Sequence, residues 1–93
     1  MLASGERWTA DSVIAFVAPG EGGAAFVAGR RIGKAVQRNR ARRVLKAAWG
    51  GLAGRVREDQ DVVLVARKTI LGAGSPEIGD ELSLLLRRCG VLP

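Results

Sequence analysis

The 93-residue sequence has no histidine and a single cysteine, Cys89. Without histidine the usual proton shuttle of an active site is missing. One cysteine forms no internal disulfide and, with no histidine, builds no tetrahedral zinc site. A lone cysteine suits a reducing compartment, so the expected location is the cytoplasm. The chain shows no secretory apolar region and no apolar run approaching about 18 residues, so neither export nor a membrane span is expected. The acids fall in loops and helix starts, with no pair fixed on one rigid face. Cys89 lies on an apolar stripe, where packing is the expected role. No catalytic side chain, metal-ligand set or organic cofactor is therefore expected in this polypeptide.

A further absence is local. Arg30 to Lys46, RRIGKAVQRNRARRVLK, holds eight of the fifteen Lys and Arg and no Asp or Glu. Outside it seven basic residues face nine acidic ones, so +8 and −2 give the net +6. A helix from Ala35 onward gathers Gln37, Ala41, Val44, Leu45, Ala48 and Leu52 into one stripe and sets Arg38, Asn39, Arg42, Arg43 and Lys46 on the opposite face. Cations at helical spacing repel one another by a few tenths of a kcal/mol per pair, which a polyanion would relieve. Solvated helical faces usually mix signs, and this one does not. Arginine predominates, with a planar fork suited to bidentate phosphate contacts. Asn39 both donates and accepts, and so can reach a base edge or a 2′-hydroxyl. The composition implies nucleic acid without saying which kind. An anionic membrane is a poorer match, because the helix's apolar face is Ala and Val with little bulk.

The length fits one domain spanning 1–93, with a polar and loose N-terminus over about residues 1–10. Residues 11–18, with the run VIAFVA before Pro19-Gly20, predict a strand. Ala24 to Gly29 predicts a second, and the Pro/Gly turn between them predicts an antiparallel hairpin. The basic helix follows over Ala35–Gly50, with its stripe extending towards Arg57. After the acidic stretch Glu58–Asp61, the run DVVLVAR to Arg67 reads as a central strand covered on both faces. Ser75-Pro76-Glu77 reads as a helix start with Ser75 as the cap, and Ile78, Leu82, Leu85 and Cys89 form its core stripe. Arg87 and Arg88 suit the negative pole of that helix. The expected order is β-β-α-β-α in a two-layer α/β (α+β) sandwich.

Phe26 to Trp49, FVAGRRIGKAVQRNRARRVLKAAW, resembles the central motif of the bacterial ribonuclease P protein component. In that family a strand ends in a small residue and two basics. A Val/Ile-Gly-x-Ala-Val-x-Arg-Asn-Arg run, here Ile32 to Arg40, then opens a basic helix. The strand Asp61-Val62-Val63-Leu64-Val65-Ala66-Arg67 also looks like the family's, and the resemblance covers about residues 12–88. Two positions depart from the pattern: Gly29 stands where Ser is usual, and Ala47 where a Glu is common.

The resemblance implies a protein cofactor of a catalytic RNA that removes the 5′ leader of precursor tRNA with Mg²⁺ held mainly through the RNA. The implied partners are that RNA and precursor tRNA, with no protein partner required. By position, Arg38, Asn39, Arg40, Arg42, Arg43 and Lys46 would face the RNA, with Arg30, Arg31 and Lys34 beside them. Phe16 matches an aromatic of the leader cleft, where a ring stacks on an unpaired base; plain core is its other reading. The family usually begins with an aromatic-bearing helix forming one cleft wall, and this chain is expected to lack it. The implied fold is of the ribonuclease P protein and ribosomal-protein second-domain type, with a left-handed β-α-β crossover against the general rule. The alternative functions are a ribosomal or ribosome-assembly RNA-binding protein, and a DNA-binding module with the basic helix in the major groove.

Overall fold

The structure is a computed structural model that describes residues 6–92. Four strands, β1 (Glu6–Thr9), β2 (Val13–Pro19), β3 (Ala24–Val27) and β4 (Gln60–Ala66), form one sheet in the order β1-β2-β4-β3. Helices α1 (Ala35–Gly50) and α2 (Ser75–Arg88) pack on one face of it and on each other. The chain is thus an α+β two-layer sandwich, as the sequence implies.

Alternation sets the layers. Val13, Ala15 and Val17 of β2 and Val62, Leu64 and Ala66 of β4 are buried towards the helices. They meet Ala41, Leu45 and Ala48 of α1 and Ile78, Leu82, Leu85 and Leu86 of α2 in a single core. Ile14, Phe16, Val63 and Val65 point the other way and remain half-buried. β4 is central, as expected, but among the described residues only its helix-side face is covered.

The expected antiparallel hairpin does not form. β4 inserts between β2 and β3, antiparallel to the first and parallel to the second, with Phe16 opposite Val63 and Phe26 opposite Leu64. The Asp61 carboxylate holds the intervening turn, with Oδ1 accepting from the backbone N–H of Glu21 at 3.1 Å and of Gly23 at 2.8 Å. The turn residues therefore carry the chain across the end of β4.

The looseness expected for the N-terminus fails over Glu6–Thr9, which pairs with Ile14–Val17 as an edge strand; Met1–Gly5 lie outside the described residues. The element order is accordingly β-β-β-α-β-α. α1 stops at Gly50, and a separate 3₁₀ turn follows at Ala53–Arg55. The cap of α2 is Gly74, whose N–H donates to Glu77 Oε2 at 3.0 Å, and Ser75 already belongs to the helix. Cys89 is half-buried at the helix end, beyond the fully buried Ile78, Leu82 and Leu85.

Gln37, read as part of the apolar stripe, is exposed and caps α1: its Oε1 accepts from the Lys34 N–H at 2.8 Å. Gly33 makes that possible, with φ +138°, where a Cβ would lie 2.0 Å from Gln37 Oε1. Gly33→Ala is expected to destabilise the domain by about 1–3 kcal/mol, through backbone strain and loss of this cap, as read by denaturant unfolding.

Candidate nucleic-acid interface

Around the axis of α1, Ala41, Leu45 and Ala48 face the core, and the cations divide between two flanks. Arg38 and Arg42 are half-buried at one margin, while Asn39, Arg43 and Lys46 stand fully outward. Asn39, Arg42, Arg43 and Lys46 line a shallow groove on the outer face. Arg40 lies on the other flank, in a second groove shared with Arg43, Val36, Val44 and Ala47. Val36 is 75% exposed there, an apolar spot among cations. The six polar positions of α1 singled out in the sequence, Arg38, Asn39, Arg40, Arg42, Arg43 and Lys46, therefore form a band around the helix, broken on Arg40's side by Val36 and Ala47.

The guanidinium of Arg42 donates through Nη2 to Asn39 Oδ1 one turn earlier. That occupies an acceptor the sequence had left free to read a base and fixes the direction of the Arg42 fork. Asn39→Ala and Arg42→Ala should consequently be non-additive in nucleic-acid affinity, with a coupling of about 0.5–2 kcal/mol in a double-mutant cycle. Additive losses would show Asn39 acting independently.

Arg30 and Arg31 do not join the grooves of α1. With Arg7, Arg67 and Lys68 they line a cavity of about 690 Å³, with Ile14, Val65 and Ala66 among its apolar lining residues. Arg7, Arg67 and Lys68 were missed in the sequence because they come from opposite ends of the chain; the sheet brings them together. A signal existed in Arg67-Lys68, a basic pair following an apolar strand as Arg30-Arg31 does. Arg67 also ties the β1–β2 turn, with Nη1 donating to the Ala10 carbonyl at 2.8 Å. Phe16 is not core. It lies on the open sheet face between Arg7 and Val63 in register, and its neighbours Ala15 and Val17 take the core side.

Among the described residues the one ion pair is Arg57 with Asp59, at 2.7 Å. Among the described residues none of the cations from Arg30 to Lys46 has a carboxylate partner. The surface thus carries concentrated, unneutralised positive charge beside an apolar sheet face. Among the described residues no three of His, Cys, Asp and Glu are grouped to hold a metal, and no helix is long and apolar enough to cross a membrane. Burial raises the Cys89 thiol to about 11, with Arg88 lowering it and Glu6 raising it by smaller amounts. It is therefore protonated at neutral pH and a poor nucleophile.

This geometry defines a class: a small α+β protein with a polyanion-complementary surface built from one helix and the adjoining end of its sheet. A family model described as Ribonuclease P matches residues 1–90. The Ribonuclease P protein component of Symbiobacterium thermophilum is 43% identical over 67 residues, covering 72% of this chain and 58% of that protein. The protein of the same name from Nitratiruptor is 43% identical over 63 residues, covering 68% and 57%. The chain thus spans less than two thirds of the length of these curated relatives. Among solved structures, the RNase P protein of Staphylococcus aureus superposes with TM-score 0.79 at 15% identity, covering 97% of this chain and 85% of that one. The RNase P protein of Thermotoga maritima, in complex with 1-(4-fluorophenyl)-2-thiourea, gives 0.78 at 20% identity, covering 90% and 85%. The chain belongs to the ribonuclease P protein family.

Proposed function

We propose that this chain is the protein subunit of a ribonuclease P, binding its catalytic RNA and assisting removal of the 5′ leader from precursor tRNA. The observation that carries the reading is the set of cations from Arg30 to Lys46, none neutralised by a carboxylate among the described residues, on a fold shared with ribonuclease P proteins. Arg38, Asn39, Arg40, Arg42, Arg43 and Lys46 contact the phosphates of the catalytic RNA, with Lys34 at the helix start. Arg30 and Arg31, joined by Arg7, Arg67 and Lys68, lie at the mouth of the leader cleft. Phe16 supplies a ring on that cleft's floor for an unpaired leader base.

The protein's own part in the chemistry is positional. Its cations offset phosphate repulsion as RNA and precursor come together, and an oriented strand reaches the reacting site with less entropy left to lose. The reaction uses Mg²⁺, and the described residues do not fit a resident magnesium site: no carboxylate group is assembled among them, and the surface turned to RNA is cationic. The metal is held mainly through the RNA.

The test is precursor-tRNA cleavage by a bacterial ribonuclease P RNA at low Mg²⁺, with and without this protein. Cleavage restored at the mature 5′ end supports the reading. Absence of RNA binding overturns it and favours the ribosomal alternative.

A further inference from the structure

The turn between β1 and β2 is held by a short segment from the far end of β4. The carbonyls of Ala10, Asp11 and Ser12 are consecutive, and each accepts from residues 67–69: Ala10 from Arg67 Nη1 at 2.8 Å, Asp11 from the Thr69 hydroxyl at 2.7 Å, and Ser12 from the Arg67 backbone N–H at 2.8 Å. The single proton of the Thr69 hydroxyl goes to Asp11, so the Ser12 hydroxyl, 3.0 Å away, donates to it in return. Ser12 is buried, and its own N–H donates to Glu81 Oε2 of α2 at 2.8 Å.

The register explains why these residues meet. β4 pairs with β2 as far as Ala66 opposite Val13, and Arg67 carries the ladder one residue further to Ser12. Alternation puts Arg67 on the open face with Val65. Lys68 then starts a 3₁₀ turn, closed by the Ile70 N–H donating to the Arg67 carbonyl at 2.9 Å. Ile70 is fully buried, and this anchor sets the place of its exposed neighbour Thr69.

The turn gives Arg67 a direction. Arg7, Arg30, Arg31 and Lys68 line the same cavity, yet among the described residues Arg67 is the one cation there whose side chain is hydrogen-bonded to the chain. Its bond uses Nη1 and leaves the Nε–Nη2 edge, a two-donor fork that suits a phosphate. An arginine already held in one rotamer has less side-chain entropy to lose when a phosphate arrives. The Ala10 carbonyl therefore sets where the fork points, and it is only as firmly placed as the turn that carries it.

We propose that Thr69 is a positioning residue for leader binding: its hydroxyl holds the Ala10–Ser12 turn against the end of β4 and so fixes the carbonyl that aims the Arg67 fork at a leader phosphate. This role rests on the leader-cleft reading above and adds to it the residue that orients one of the cleft's cations. Replacing Thr69 by valine keeps its shape and removes its hydrogen bonds. The pairing of β1 with β2 and the bond from Ser12 to Glu81 remain, so the domain keeps its fold.

The experiment uses the holoenzyme assembled with a bacterial ribonuclease P RNA and compares its binding of a precursor tRNA with that of the mature tRNA. Arg67→Ala should weaken precursor binding about tenfold, as one lost charged contact does, with no matching loss for mature tRNA. Thr69→Val should weaken precursor binding about threefold, and Thr69→Ser should restore the wild-type value. In the Arg67→Ala background Thr69→Val should cost nothing further, because the two residues act as one unit. An equal Thr69→Val loss in that background, no loss in the wild-type background, or no rescue by serine overturns the positioning role alone and leaves the cleft standing. An Arg67→Ala variant that binds precursor as tightly as wild type, or loses mature tRNA affinity equally, overturns the leader-cleft reading on which the role rests.

Discussion

Raising monovalent salt from about 50 to 200 mM should weaken binding to ribonuclease P RNA by about 10³–10⁴-fold. The log–log slope should be roughly −5 to −7, the value for six to eight neutralised phosphates in duplex contacts. The basis is structural: among the described residues the cations of α1 and its lead-in pair with no carboxylate, and in the proposed complex phosphates would be their counter-charges. Arg38→Ala and Arg40→Ala should each lose about 1–3 kcal/mol of affinity and reduce the slope by about one unit, as removed phosphate contacts do. The two residues sit on different flanks of α1, so their losses should add, unlike those of Asn39 and Arg42. Isothermal titration across a salt series reads all of this. A slope near −1, or normal assembly of both variants, would remove α1 as the interface.

The charge pattern was legible in the sequence because it is a local property. Helix α1 comes out at Ala35–Gly50 as expected, since the stripe and the flanking glycines mark both ends within the chain. What sequence reasoning missed is non-local. β1, with sequence ERWT, has no apolar run and exists through its pairing with β2. The Pro/Gly turn after β2 carries a strong hairpin signal, yet the sheet places β4 beside both β2 and β3, and Asp61 caps the turn from the far side of the helix in sequence. The same holds for the site. The arginines of α1 lie within one turn or two of each other, but the cavity at the sheet end joins Arg7, Arg30, Arg31, Arg67 and Lys68, which only the strand order brings together. Phe16 was undecided between core and cleft because either face of β2 was possible; the register opposite Val63 places it on the open one.

Leu45→Ala should separate folding from binding on the same helix. Leu45 is fully buried, between the cation-bearing surface of α1 and the shared core. Truncating a leucine in such a site costs about 2–5 kcal/mol, as lost apolar transfer and a residual cavity. That is a large share of the about 5–15 kcal/mol that holds a domain folded. The melting temperature should fall by about 8–40 °C, at about 4–8 °C per kcal/mol for a domain of this size. At a temperature where the variant remains folded, RNA affinity and its salt slope should be nearly unchanged, because no cation has been moved. Arg40→Ala should do the reverse, keeping the melting temperature and losing affinity. A Leu45→Ala variant that melts within a few degrees of wild type would contradict the packing of α1 on the sheet. One that stays folded yet loses the salt slope would show that the cations depend on fine core packing, and not only on their place on the helix.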